Sequence, residues 1–181
     1  GFHGTQPHNR LVHHVQLAGL HRLAQVIFHH ATPPGAFAHL CGEDLVPRTT
    51  GQFGLAHGEA GFLQHREETQ GQIERLEQVF ELLGKSPRGK TCEAIQGILA
   101  EGEEIMEDYK GTTALDAGLI SSAQAVEHYE IARYGTLKSW AKQLGLKDAI
   151  PLLDANLQEE IATDQKLTAL GEASANTKGM K

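Results

Sequence analysis

Through residues 61–173 the apolar positions advance in alternating steps of three and four, and acidic residues stand on those same lines. A chain patterned this way must bury carboxylates beside its leucines. The first line runs Phe62, His65, Thr69, Gln72, Leu76, Val79 and Leu83, which predicts a helix over 61–83 stopped by Gly84 and Pro87. A shorter helix over 91–109 carries Ala94, Ile95, Ile98, Leu99 and Ile105, and Lys110 and Gly111 close it, placing it across the bundle. The third spans 113–144, with Thr113 and Asp116 in the spacing of a capping box and Gly145 as its stop. At about 1.5 Å per residue it is roughly 45 Å long, the length of a long bundle helix. The last begins near 148, accommodates Pro151 in its first turn where the missing donor costs nothing, and fades near Gly171. These lengths and short loops predict an all-α antiparallel bundle in which one short helix is extra.

The acids decide what such a bundle can do. On the third helix the inward line is Ala123, Glu127, Glu130, Tyr134 and Leu137, and on the last it is Leu153, Leu157, Glu160, Asp164 and Leu167. On the first, Glu68 lies beside His65 and Gln72. A buried carboxylate must be protonated, paired or metal-bound, because desolvating its charge costs on the order of several kcal/mol. Five converging acids call for positive charge. Hard oxygen ligands suit iron or manganese, and facing helices that project glutamates inward are how carboxylate-bridged di-metal sites are built. The competing reading is an ion-pair network through Arg75 and Arg133. His65 fits either a satisfied interfacial histidine or a ligand or supporting donor. His128 follows Glu127 directly and so points about 100° away, toward a supporting or surface role. Tyr129 and Tyr134 read as packing residues and Cys92 as a small buried hydrophobe.

Charge is uneven along the chain. Residues 1–62 hold no lysine, three acids and nine of the eleven histidines, including the doublets His13-His14 and His29-His30, whereas the remainder holds nine lysines and twenty acids. The first segment shows no sustained apolar period, so residues 1–60 are left unassigned, 61–174 form the helical domain and 175–181 a flexible tail. A histidine-rich metal buffer is one reading of 1–60. An out-of-frame or opposite-strand translation, which leaves the later stripes without a fifth partner, is the expectation. The net charge of -7 removes nucleic acid and anionic membrane surfaces from the partners expected. Cys41 and Cys92 form no paired motif and no span of apolar residues could cross a bilayer, which predicts a reducing, cytoplasmic setting.

The run His65-Arg66-Glu67-Glu68-Thr69, followed by Gln72-Ile73-Glu74-Arg75-Leu76, resembles the YciE/YciF family of bacterial stress proteins. The likeness continues through Lys90-Thr91-Cys92-Glu93-Ala94-Ile95. It is densest in Ala123-Gln124-Ala125-Val126-Glu127-His128-Tyr129-Glu130-Ile131-Ala132-Arg133-Tyr134-Gly135-Thr136-Leu137. It ends through Leu157-Gln158-Glu159-Glu160, Ala162-Thr163-Asp164 and Leu167-Thr168, covering about 61–173. The resemblance implies a ferritin-like, rubrerythrin-like four-helix bundle that forms a homodimer, belongs to the stress response and carries a di-iron site. Glu68, Glu127, Glu130, Glu160 and Asp164 fall on the family's acidic positions as metal ligands, with His65, Gln72, His128 and Tyr134 in support. Gln96 stands where the family often has glutamate, the Glu-x-x-His pairs of ferritin-like sites are absent, and nothing in 1–61 matches the family's first helix. The leading expectation is a di-iron or manganese protein that oxidises Fe(II) or handles oxygen or peroxide, and the alternative is a non-catalytic structural stress protein.

Overall fold

The computed structural model describes residues 55–180 and, upstream of them, Ala18, Leu20, Ala24 and Gln25, with side chains described from Glu67 onward and at those four positions. Four helices dominate, α1 (Leu55–Leu82), α2 (Glu93–Asp108), α3 (Leu115–Gln143) and α4 (Ala149–Leu170), followed by a π turn at Gly171–Ala175 and a last turn, α5 (Asn176–Gly179). The described residues contain no strand, as the three-four spacing requires.

Two helix stops follow the sequence signals. Gly84 and Gly145 take φ of 62° and 73°, conformations that a Cβ would strain. In the first, the Gly84 and Lys85 N–H groups donate back to Glu81 and Phe80; in the second, those of Gly145 and Leu146 donate to Lys142 and Ala141, so both ends satisfy their last carbonyls in the same crossed pattern.

Three boundaries differ from expectation. Helix α1 starts at Leu55 and passes through Gly61 without a break, because a helix once nucleated propagates through residues such as Ala56, Glu59 and Ala60 whatever the charge balance around them. Thr113 does not cap α3: the cap is Ala114, whose φ of -82° and ψ of -17° are already helical, so the extended geometry that lets a hydroxyl reach back is absent. The expected tail instead continues as the π turn and α5, with Ala175 fully buried and Gly179 against Ala114 and Ala117.

Cross-helix partners run in opposite order along the chain. Gln124 meets Asp164 and Lys138 meets Asp154 between α3 and α4, while Glu68 meets Lys166 and Arg75 meets Glu159 between α1 and α4, so α4 is antiparallel to both. The lower core joins Leu76, Val79 and Phe80 of α1 to Leu137 and Ala141 of α3 and to Ala149 and Leu153 of α4. Leu20 and Ala24, helical and four residues apart, are fully buried in that same core, and the Lys90 N–H donates to the Gln25 carbonyl at 3.0 Å. The upstream segment therefore does present one helix-spaced apolar pair, which the search for a longer period passed over. The histidine doublets lie outside the described residues.

Helix α2 packs on α3 through a separate cluster of Ile95, Leu99 and Val126. Gly118 makes that approach possible, since a Cβ there would lie 2.6 Å from Ile105 Cγ2.

Candidate metal centre

One helical repeat above the lower core, the stripe of α3 changes from hydrocarbon to acid. Glu127 and Glu130, three apart, share a face, and Glu160 of α4 projects at them from the opposite helix. All three are buried, and one carboxylate oxygen from each lies within 4.8 Å of the others. Burial pushes Glu130 up to about 8, with the Glu127 charge adding to it. Burial likewise raises Glu127 to about 7, although a hydrogen bond from Glu160 opposes the rise and Asp164 and Glu68 reinforce it. Glu160 is raised well above the ordinary carboxylate range, by burial and then by the fields of Glu130 and Glu127. The shared Glu127–Glu160 hydrogen bond requires a proton on one of the two. Glu127 Oε2 and Glu160 Oε1 have no hydrogen-bond partner among the described residues.

The five expected acids thus separate into three that converge and two that flank. Glu68 is half-buried on α1 with Lys166 Nζ 3.7 Å from its carboxylate. Asp164, one turn beyond Glu160, accepts from Gln124 at 3.0 Å and lies 3.2 Å from His128 Nε2. His128 is exposed and faces away from the triad, as its position after Glu127 predicts. Gln72 is buried, and its backbone carbonyl accepts from Asn156 at 3.3 Å. Tyr134 is fully buried with a hydroxyl that has no hydrogen-bond partner among the described residues. The His65 side chain lies outside the described residues, and Gln96 is exposed on α2.

The cations on which an ion-pair reading depends are engaged elsewhere. Arg75 bonds Asn156 and Glu159, while Arg133 stacks over Tyr129 at 4.6 Å.

Sequence reasoning missed two features. Asn156 is fully buried between Leu153 and Glu160 at steps of three and four, but the stripe drawn through Leu157 skipped it; Leu157 is only half-buried. Cys92, expected as an inert hydrophobe, stands at the N-terminus of α2 with Sγ 2.9 Å from the Tyr129 hydroxyl. Its thiol is lowered overall: burial, which raises it, is outweighed by the hydrogen bond from Tyr129, by the Ile95 and Ala94 N–H groups and by Arg133. Asn156 carries a signal in spacing, three after Leu153 and four before Glu160, whereas Cys92 carries none, since its state depends on which residue faces it from another helix.

A family described as a domain of unknown function, DUF892, matches residues 44–179. The chain belongs to that family. YciF of Escherichia coli K12 is 49% identical to this DUF892 chain over 119 residues, which are 65% of this chain and 71% of that protein. The crystal structure of the E. coli stress protein YciF superposes with a TM-score of 0.73 at 36% identity, covering 89% of this chain and 97% of that one. YcfI of Rhodopseudomonas palustris, whose description proposes a structural role, superposes with a TM-score of 0.71 at 40% identity over 84% of this chain and 92% of its own. These matches establish the YciE/YciF relationship and the helical-bundle fold, and the family match opens at residue 44, upstream of the point near 61 where the resemblance was expected to begin. Among the described residues, no helix is long and apolar enough to cross a membrane.

Proposed function

We propose that this DUF892 protein is a ferritin-like carboxylate metalloprotein of the stress response, holding iron or manganese between α3 and α4 and using it to oxidise Fe(II) or consume oxygen or peroxide. The observation that carries this reading is the buried triad of Glu127, Glu130 and Glu160, with one oxygen of each within 4.8 Å of the others and two of the triad's carboxylate oxygens lacking a hydrogen bond among the described residues. Orphaned oxygens inside a helix bundle suit a hard divalent cation, which would accept their lone pairs and offset the burial and the neighbouring negative charge that raise these acids. The donor set therefore fits a metal ion. Glu127 and Glu130 of α3 and Glu160 of α4 would hold the first ion. A second would draw on Glu68 and Asp164, whose charges already act on Glu127, once they turn from Lys166 and His128. A bound iron ion would supply one-electron chemistry between its +2 and +3 states.

A structural reading is also supported by a specific contact, the hydrogen bond by which Glu127 and Glu160 share a proton and keep the triad partly neutral without metal. Anaerobic Fe(II) titration followed by air separates the two. The metal reading expects tight Fe(II) uptake lost in Glu130→Ala and Glu160→Ala, with oxygen consumed and ferric absorption developing in the parent chain alone. Metal content unchanged by those substitutions ends it in favour of the structural reading.

A further inference from the structure

We propose that Tyr134 is the positioning residue of this centre, its buried hydroxyl donating to a triad carboxylate in the metal-bound protein and thereby fixing which oxygen faces the ion. The inference rests on the metal reading above and gives a definite role to a residue that spacing presents as packing and the family resemblance places only in support.

Tyr134 stands one turn after Glu130 on the same face of α3, is completely buried, and its hydroxyl has no hydrogen-bond partner among the described residues. A phenylalanine would fill the same space without a buried polar atom, so the hydroxyl costs the metal-free fold a desolvation that only the Asn156 amide beside it offsets. The groups around it indicate where its partner lies. Glu130 and Glu160 border it on the triad side and Asn156 on the other.

Asn156 is itself held in one orientation. Its side-chain oxygen accepts from Arg75 Nε, and Arg75 is anchored in turn by Glu159. The Asn156 amide nitrogen donates one hydrogen to the Gln72 carbonyl at 3.3 Å, leaving its second on the Tyr134 side. A donor facing the phenol oxygen turns the phenol proton toward the carboxylates. The chain of contacts runs from the half-buried Arg75–Glu159 pair through Asn156 and Tyr134 to Glu130 and Glu160.

In the metal-free protein Glu127 and Glu160 share one hydrogen bond, and one oxygen of each is left without a partner among the described residues. An ion held by the triad would draw on these oxygens, and a neutral donor beside them would hold a carboxylate in one orientation. A lysine or arginine at this position would also bond the carboxylate, but its charge would compete with the cation. Tyrosine gives direction without positive charge.

The test is anaerobic Mn(II) titration of the full chain, read by the electron paramagnetic resonance of bound Mn(II), together with thermal melting of the metal-free protein. Tyr134→Phe is expected to weaken Mn(II) binding about 10–100-fold, the usual effect of removing a group that orients a ligand. Its metal-free melting temperature should equal or exceed that of the parent. Tyr129→Phe, whose hydroxyl engages Cys92 instead, should bind Mn(II) as the parent does. Unchanged affinity in Tyr134→Phe overturns the inference while leaving the metal reading intact. A fall in its metal-free melting temperature also overturns it, by showing that the hydroxyl serves the fold. A parent chain that takes up no Mn(II) overturns both.

Discussion

At its lower end the bundle joins α3 to α4 through Leu137, Ala141, Ala149 and Leu153; two turns further along, the same two helices meet through Glu127, Glu130 and Glu160. The helices, spacing and burial are alike, and only the side chains differ. Hydrocarbon at the lower end gains from leaving water and needs no further partner. Carboxylates at the upper end resist leaving it, keep protons they would otherwise release, and leave oxygens without hydrogen bonds among the described residues. The lower core stabilises the fold on its own, and the upper one is tolerated because its neighbours hold it in place.

This contrast predicts opposite signs for substitutions at the two ends. Phe80→Ala, which hollows the lower core, should lower the stability of the metal-free protein by about 3–5 kcal/mol in urea denaturation. Glu160→Gln, which removes an ionisable group from the upper core at nearly constant volume, should raise metal-free stability at pH 8 by about 1–3 kcal/mol, the linkage cost of holding its proton, and abolish metal uptake. If Glu160→Gln destabilised as Phe80→Ala does, the two ends would be equivalent and the acids would be structural.

The pH dependence sharpens the same comparison. The triad acids have folded values above the ordinary 4.5, with Glu127 near 7 and Glu130 near 8. Below about 4.5 the folded and unfolded chains both hold these protons. Between there and about 8 the unfolded chain releases them while the folded chain keeps them, so stability falls as pH rises and levels off above the folded values. The midpoint in urea of the metal-free protein should therefore drop steadily from pH 5 to pH 8, and Glu130→Gln should flatten the slope. A midpoint that rises over this range would mean that the triad is neutralised by some other group. Adding Mn(II) should raise the melting temperature more at pH 8 than at pH 6, because the ion binds the deprotonated acids.

The smallest effect concerns the α2–α3 contact, which belongs to neither end. Gly118→Ala places a methyl carbon 2.6 Å from Ile105 Cγ2. The clash outweighs the gain in helix propensity, and a net loss of about 1 kcal/mol is expected. In a double-mutant cycle, Ile105→Ala should remove most of that loss; additive effects would show that α2 shifts freely on α3.

Much of this fold can be read from spacing. The four helices, their stops at Gly84 and Gly145 and the inward course of Glu127, Glu130 and Glu160 all follow from a period of 3.6 and from glycine's access to positive φ. The cap at Thr113 was misplaced because capping depends on the backbone angles of one residue, and those of Ala114 are already helical. The compositional break near Gly61 does not interrupt α1, since backbone hydrogen bonds do not register lysine content.

The sequence alone determines which residues share a helical face, because that depends only on rotation per residue along one chain. It therefore placed acids on the buried lines and named the family. Which of those acids meet was decided by tertiary structure. Glu68 and Asp164 occupy the same lines as the triad, yet Lys166, Gln124 and His128 draw them to its margin. Arg75, on the inward side of α1, is turned to Asn156 and Glu159, leaving the cluster without that cation. Leu20 and Ala24 reach the lower core from far upstream, a pairing no local period encodes. Helical periodicity is a short-range property of the backbone, whereas charge pairing is settled by the facing helix, and the chemistry of this protein lies in the second.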